Sequence, residues 1–254
     1  MNTLKNVLQQ DKKMHSVFFT AGYPAHRTIS DQLLKLRDAH VDFVELGIPF
    51  SDPVADGTTI QFSSTQALNG GMNLEIIFHE LSVFQGELPI PVVMMGYLNT
   101  LLAFGLERFV QEARRVGISA LLIPDLPPEL TKKILGDVFL NSGISPVFMV
   151  DPQTPENRIR EIDALSDTFI YAVTKSATTG NSTFMEEDVR SFLKRLNAMQ
   201  LKSPVLAGFG ISNAAHRKSI LPYAKGTIIG SAFIRSQMEN REALFLKEIS
   251  ENTD

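Results

Sequence analysis

Two acidic side chains carry the most chemistry in this sequence. Residues 41–57 begin with an apolar run around Glu45 and pass into a turn-rich loop holding Asp52 and Asp56. If the run is a strand, its side chains alternate between two faces. Val44, Leu46 and Ile48 then share a wholly apolar face, while Phe43, Glu45 and Gly47 share the other. A carboxylate flanked by Phe and Gly on an inward face is costly unless paired, hydrated or protonated. Burial raises its pKa, which suits a Glu to general acid/base work near neutral pH. The competing structural reading is a Glu neutralised by a buried Lys or Arg. Of the two loop aspartates, one is expected to cap or turn the backbone and one to be spare for function. The segment alone leaves open which is which.

A second chemistry is anion binding. Three loops carry hydroxyls and glycines: residues 174–183, the run Gly208-Phe209-Gly210-Ile211, and the run Gly230-Ser231-Ala232-Phe233. Gly lets backbone N–H groups approach an anion closely, and a helix N-terminus adds its dipole. Each loop alone is weak evidence; together they predict a phosphorylated substrate, with the run from Ser231 to Ser236 as a short extra helix. No G-x-G-x-x-G or G-x-x-x-x-G-K-[ST] run is present, which argues against dinucleotide and nucleoside-triphosphate chemistry. The five His (15, 26, 40, 79, 216) are dispersed, so they read as surface or element-end residues and no metal is expected.

Positioning these groups requires a repeated scaffold. Apolar runs at 16–20, 42–48, 91–95, 120–123, 146–150, 168–173, 204–207 and 226–229 read as strands. Amphipathic stretches at 29–40, 74–84, 104–116, 129–140, 156–165, 186–199, 214–221 and 239–250 read as helices. Eight strand–helix units in 254 residues fit an α/β, (β/α)8 TIM barrel, with an eight-strand doubly wound sheet as the competitor. Thr154 is expected to cap a helix starting at Pro155 and Glu156, and Pro127 and Pro128 to start another. Gly117 and Gly143 are expected to end helices. Residues 2–13 predict an extra N-terminal helix serving as a structural cap. No linker or charge block divides the chain, so residues 1–254 are expected to form a single domain.

Composition narrows the class. With 24 Lys+Arg against 28 Asp+Glu, the net charge of −4 disfavours nucleic acid and anionic membrane as partners. The absence of Cys excludes disulfides, thiolate metal sites and a cysteine nucleophile. No apolar run is long enough to span a membrane, and the first residues lack a secretory apolar core, so a cytoplasmic location is expected.

Taken together, residues 18–24, 45–61, 95–99, 105–109, 123–129 and 154–159 and the three glycine loops make the chain similar to the tryptophan synthase alpha subunit family. Residues 45–57 are the most specific part of that resemblance. It implies a (β/α)8 barrel that reversibly cleaves indole-3-glycerol phosphate to indole and glyceraldehyde 3-phosphate. It makes Glu45 the acid/base and Asp56 the acceptor of the indole N–H. Phe18 and Tyr171 would wall the indole. Thr179, Gly180, Gly208, Phe209, Gly210, Gly230 and Ser231 would hold the rest of the substrate and its phosphate.

The resemblance also implies a pyridoxal-phosphate beta subunit as partner in an alpha2-beta2 complex, meeting Pro49, Asp52, Asn99 and Pro127. The cofactor belongs to that partner, and none is implied in this chain. The family pattern is broken at Thr58, Thr100, Lys175 and Ala177. The changes at Lys175 and Ala177 fall in the loop after strand six, the lid over the substrate in that family. They motivate two alternatives: a weakly active subunit that mainly activates its partner, and a Schiff-base aldolase using Lys175.

Overall fold

Eight short apolar strands, each followed by helical chain, close on themselves. The structure, a computed structural model, describes residues 3–25, 27–174, 182–208 and 210–250, and of residues 182–186 the backbone alone. The strands are β1 (Met14–Thr20), β2 (Phe43–Gly47), β3 (Val92–Met95), β4 (Ala120–Leu122), β5 (Ser145–Val150), β6 (Ile170–Val173), β7 (Val205–Gly208) and β8 (Gly226–Ile229). All neighbours run parallel, and β8 pairs with β1, so the sheet is a closed barrel. The doubly wound alternative is excluded, because an open sheet has two edge strands and here every strand pairs on both sides.

Alternation places one face of every strand inside. The register pairs Phe18 with Glu45, Glu45 with Val93, Met149 with Tyr171, and Val173 with Gly208. Inside the barrel Phe43 packs against Phe169 at 5.7 Å between ring centroids, and Phe169 lies 6.5 Å from Tyr171. This aromatic floor fills the barrel beneath Glu45. Val44, Leu46 and Ile48 face the helices, as the alternation predicts, and all three are buried.

The helices are α1 (Thr3–Leu8), α2 (Ile29–Asp38), α3 (Thr58–Asn69), α4 (Leu74–Leu81), α5 (Leu98–Phe104), α6 (Leu106–Arg115), α7 (Pro128–Leu140), α8 (Glu156–Leu165), α9 (Ser182–Ala198), α10 (Ala214–Ile220), α11 (Ser231–Met238) and α12 (Glu242–Ser250). The N-terminal helix α1 buries Leu4 and Leu8. Thr3 reaches Ser119 at 3.2 Å and Lys5 pairs with Asp167 at 2.6 Å, at the chain entries to β4 and β6. It therefore covers the N-terminal end of the barrel, the cap expected from its pattern.

Three local expectations are corrected. Helices α3 and α5 fall in segments whose apolar residues show no helical period clear enough to find them. Thr154 does not cap α8: its hydroxyl donates to the Asp151 carboxylate at 2.8 Å and accepts the Asp151 N–H at 3.0 Å, leaving Pro155 before the first turn. His15 stands at an element end, the start of β1, but not at the surface. It is buried on the outer face of β1, beside Thr227 of β8, and its ring nitrogens have no hydrogen-bond partner. Burial, and then the nearby Arg217 cation, lower its pKa to about 3, so the ring is neutral. Gly117 and Gly143 do follow helix ends, both with positive φ, 86° and 82°.

Candidate active site

Glu45 sits in the middle of β2, on the inward face between Phe43 and Gly47, and is only 2% exposed. Gly47 is needed because a Cβ there would lie 2.4 Å from the Phe18 ring. The Tyr171 phenol, from β6, donates to the Glu45 carboxyl, while Glu45 Oε2 is buried without a partner. Burial, and secondarily the Asp56 charge, push the Glu45 pKa up to about 8, against the opposing pull of the Tyr171 hydrogen bond. Glu45 is thus protonated at neutral pH with one oxygen unspent. Among the described residues no Lys or Arg neutralises it, which favours the acid/base reading of this Glu over the structural one.

After β2 the chain turns through residues 48–57 before α3 begins at Thr58, where the family pattern has Pro. The loop is pinned from β3. Tyr97 stacks on Phe50, with ring centroids 5.0 Å apart, and its hydroxyl accepts the Ala55 N–H at 3.0 Å. The same hydroxyl donates to the Asp56 carboxylate. Asp56 Oδ1 is buried without a partner, and burial raises the Asp56 pKa to about 6 despite the Tyr97 bond. Asp56 lines the cavity above Glu45, whereas Asp52 is exposed on the outer part of the loop. Tyr97 carries no charge and follows an ordinary strand, so the sequence pattern gave it no role. Its phenol is nevertheless what fixes the second carboxylate.

The cavity at the C-terminal end of the barrel measures about 800 Å³ and is walled by Phe18, Glu45, Asp56, Tyr171, Gly210, Gly230 and Ser231, among others. Barrel enzymes place their active sites at this end. Gly230 precedes α11, the short extra helix expected there, and Gly210 has φ 77°. Gly208 does not line the cavity. It stands in β7 facing Tyr171, where a Cβ would meet the phenol oxygen at 2.2 Å, and its carbonyl accepts the Thr174 hydroxyl at 2.8 Å. Thr179, Gly180 and Phe209, together with Lys175 and Ala177, lie outside the described residues. Of the expected partner residues, Asp52, Asn99 and Pro127 are exposed and Pro49 is buried within the chain. Among the described residues no cluster of His, Asp or Glu could hold a metal ion, and no helix is long and apolar enough to cross a membrane.

A buried acid, a second carboxylate set at its own pKa, and neutral backbone donors on the same cavity can move a proton, hold a ring N–H and bind an anion. Comparison with known proteins identifies the family. A family described as tryptophan synthase alpha chain matches residues 4–252. The tryptophan synthase alpha chain of Christiangramia forsetii is 42% identical over 240 residues, 94% of each chain, and that of Flavobacterium psychrophilum is 41% identical over 251 residues, 99% of each. Among solved structures, tryptophan synthase subunit alpha from Legionella pneumophila superposes with a TM-score of 0.89 at 26% identity, covering 100% of this chain and 99% of the other. A chain of the tryptophan synthase α2β2 complex of Pyrococcus furiosus gives 0.81 at 32% identity, covering 95% and 98%. The chain therefore belongs to the tryptophan synthase alpha chain family.

Proposed function

We propose that this chain is the lyase subunit of a tryptophan synthase and cleaves indole-3-glycerol phosphate to indole and glyceraldehyde 3-phosphate, with Glu45 and Asp56 as its catalytic residues. The observation that carries the reading is the pair of buried carboxyls, each with an unspent oxygen in one cavity and pKa values set apart at about 8 and about 6. Near neutral pH one is an acid and the other a base.

Glu45 gives its proton to indole C3, which leaves the ring as an indoleninium cation. Asp56, ionised, accepts the ring N–H and stabilises that positive charge as it grows. Glu45, now a carboxylate, takes the proton from the hydroxyl on the carbon attached to C3. That oxygen becomes the aldehyde carbonyl, the carbon–carbon bond breaks, and its electron pair returns to the ring. Glu45 ends protonated, so one group serves as acid and then base, and no water is consumed. Phe18 and Tyr171 wall the apolar ring, and Gly210, Gly230 and Ser231 hold the phosphate, joined by Thr179, Gly180 and Phe209. Gly208 contributes by making room for the Tyr171 phenol.

The same reading gives the chain a beta-subunit partner. That partner carries the pyridoxal phosphate and takes up the indole. Asp52 and Pro127, exposed on loops at the C-terminal end of the barrel, and Asn99, exposed in the first turn of α5, form the docking face, with Pro49 shaping the loop from beneath. The chain works in the cytoplasm. Indole release from indole-3-glycerol phosphate, assayed with and without a beta subunit, tests the proposal. Release that the beta subunit accelerates is expected, and no release in either case would overturn it.

A further inference from the structure

The charge around the cavity is unfavourable for the substrate just proposed. Among the described residues lining it, Asp56 and Asp151 are acidic beside the protonated Glu45, and one residue is basic, Arg235. A phosphate dianion entering such a site is repelled by the ionised carboxylates, and neutral N–H groups with a helix end of about half a charge offset this only in part. Arg235 is the group placed to correct the balance. It lies four residues after Ser231 on α11, so the two side chains share one face of the helix. It is exposed at the cavity wall, and its Nη1 makes a long hydrogen bond to Thr59 Oγ1 at 3.4 Å. Its acidic neighbour Glu239 is engaged by Arg241 at 3.4 Å. Among the described residues no carboxylate pairs with Arg235.

We infer that Arg235 sets the preference for a phosphorylated substrate, leaving Thr59 to meet the phosphate seated at Gly230 and Ser231. The inference rests on the phosphate reading of this site and adds a cation beside Gly230 and Ser231. A guanidinium suits the task because its planar fork matches two phosphate oxygens at once. Anchored at the rim, it has no part in the proton transfers, so its effect falls on binding of the phosphorylated fragment.

The test runs in the synthetic direction, with indole and varied glyceraldehyde 3-phosphate. Arg235→Gln is expected to raise KM for the aldehyde phosphate about tenfold, with the KM for indole unmoved, and to weaken inhibition by inorganic phosphate equally. Arg235→Lys, which keeps the charge, is expected to recover to within about threefold of the wild type. An Arg235→Gln enzyme within twofold of wild type in both phosphate readouts would overturn the inference, and so would an Arg235→Lys enzyme as impaired as Arg235→Gln. Calorimetric titration of wild type and both variants with inorganic phosphate reads the same contact without turnover. If the wild type catalyses no reaction, the lyase proposal fails, while equal phosphate binding by wild type and Arg235→Gln would separately sink the role of Arg235.

Discussion

At the scale of single residues, the account depends on where two carboxyls titrate. Glu45 must be protonated to begin the reaction and Asp56 ionised to receive the ring N–H. The pH profile of kcat/KM is therefore expected to be bell-shaped, falling below about pH 6 as Asp56 protonates and above about pH 8 as Glu45 ionises. A flat profile from pH 5 to 9 would contradict these assignments. Tyr97→Phe removes the hydrogen bond that holds the Asp56 pKa down, so the acid limb is expected to move to higher pH, with kcat/KM at pH 7 falling about tenfold. A loss of activity with the acid limb unmoved would show that Tyr97 acts otherwise. Glu45 was legible in the sequence because a lone acid in an apolar strand is conspicuous. The choice between Asp52 and Asp56 was not, since it depends on a loop whose shape is set by Tyr97, some forty residues away.

At the scale of elements, strand β7 illustrates how backbone serves the site. Gly208 lies in an ordinary strand conformation, so Ala there meets no backbone penalty and its cost is steric. Its Cβ would fall 2.2 Å from the buried Tyr171 hydroxyl. Such overpacking costs on the order of 1–3 kcal/mol. Gly208→Ala is expected to lower Tm by several degrees and kcat about tenfold, because the phenol must leave Glu45. Losing that bond lets the Glu45 pKa rise further, so the basic limb of the pH profile should shift upward. Matching melting curves and profiles for the variant and the wild type would contradict this. The strands were legible from apolar runs, and β8 at 226–229 matches its expected bounds. Helices α3 and α5 were not, because each follows a functional loop with little apolar periodicity: α3 opens with Thr58, Thr59 and Ile60, of which only Ile60 is buried. Thr154 misled for a related reason. A hydroxyl before Pro-Glu reads as a cap, but Asp151 competes for it.

For the whole molecule, barrel closure joins β8 to β1 and brings Phe18, Glu45 and Gly230 to one cavity from opposite ends of the sequence. The strand–helix count made the barrel legible, but not which loops would share a wall, since that follows from the register of all eight strands. Burying Glu45 also makes the fold pH-dependent. Below about pH 4.5 the residue is protonated in both folded and unfolded chains and costs nothing. As pH rises to about 8 the unfolded chain gains an ionised Glu that the folded one refuses, and stability is lost. Glu45→Gln should therefore fold at least as stably as wild type at pH 8, and its loss of activity can be read as chemistry. The decisive measurement is indole release from indole-3-glycerol phosphate by Glu45→Gln in complex with a beta subunit. The account predicts a fall to background in a folded, partner-bound protein. Release at the wild-type rate would contradict it.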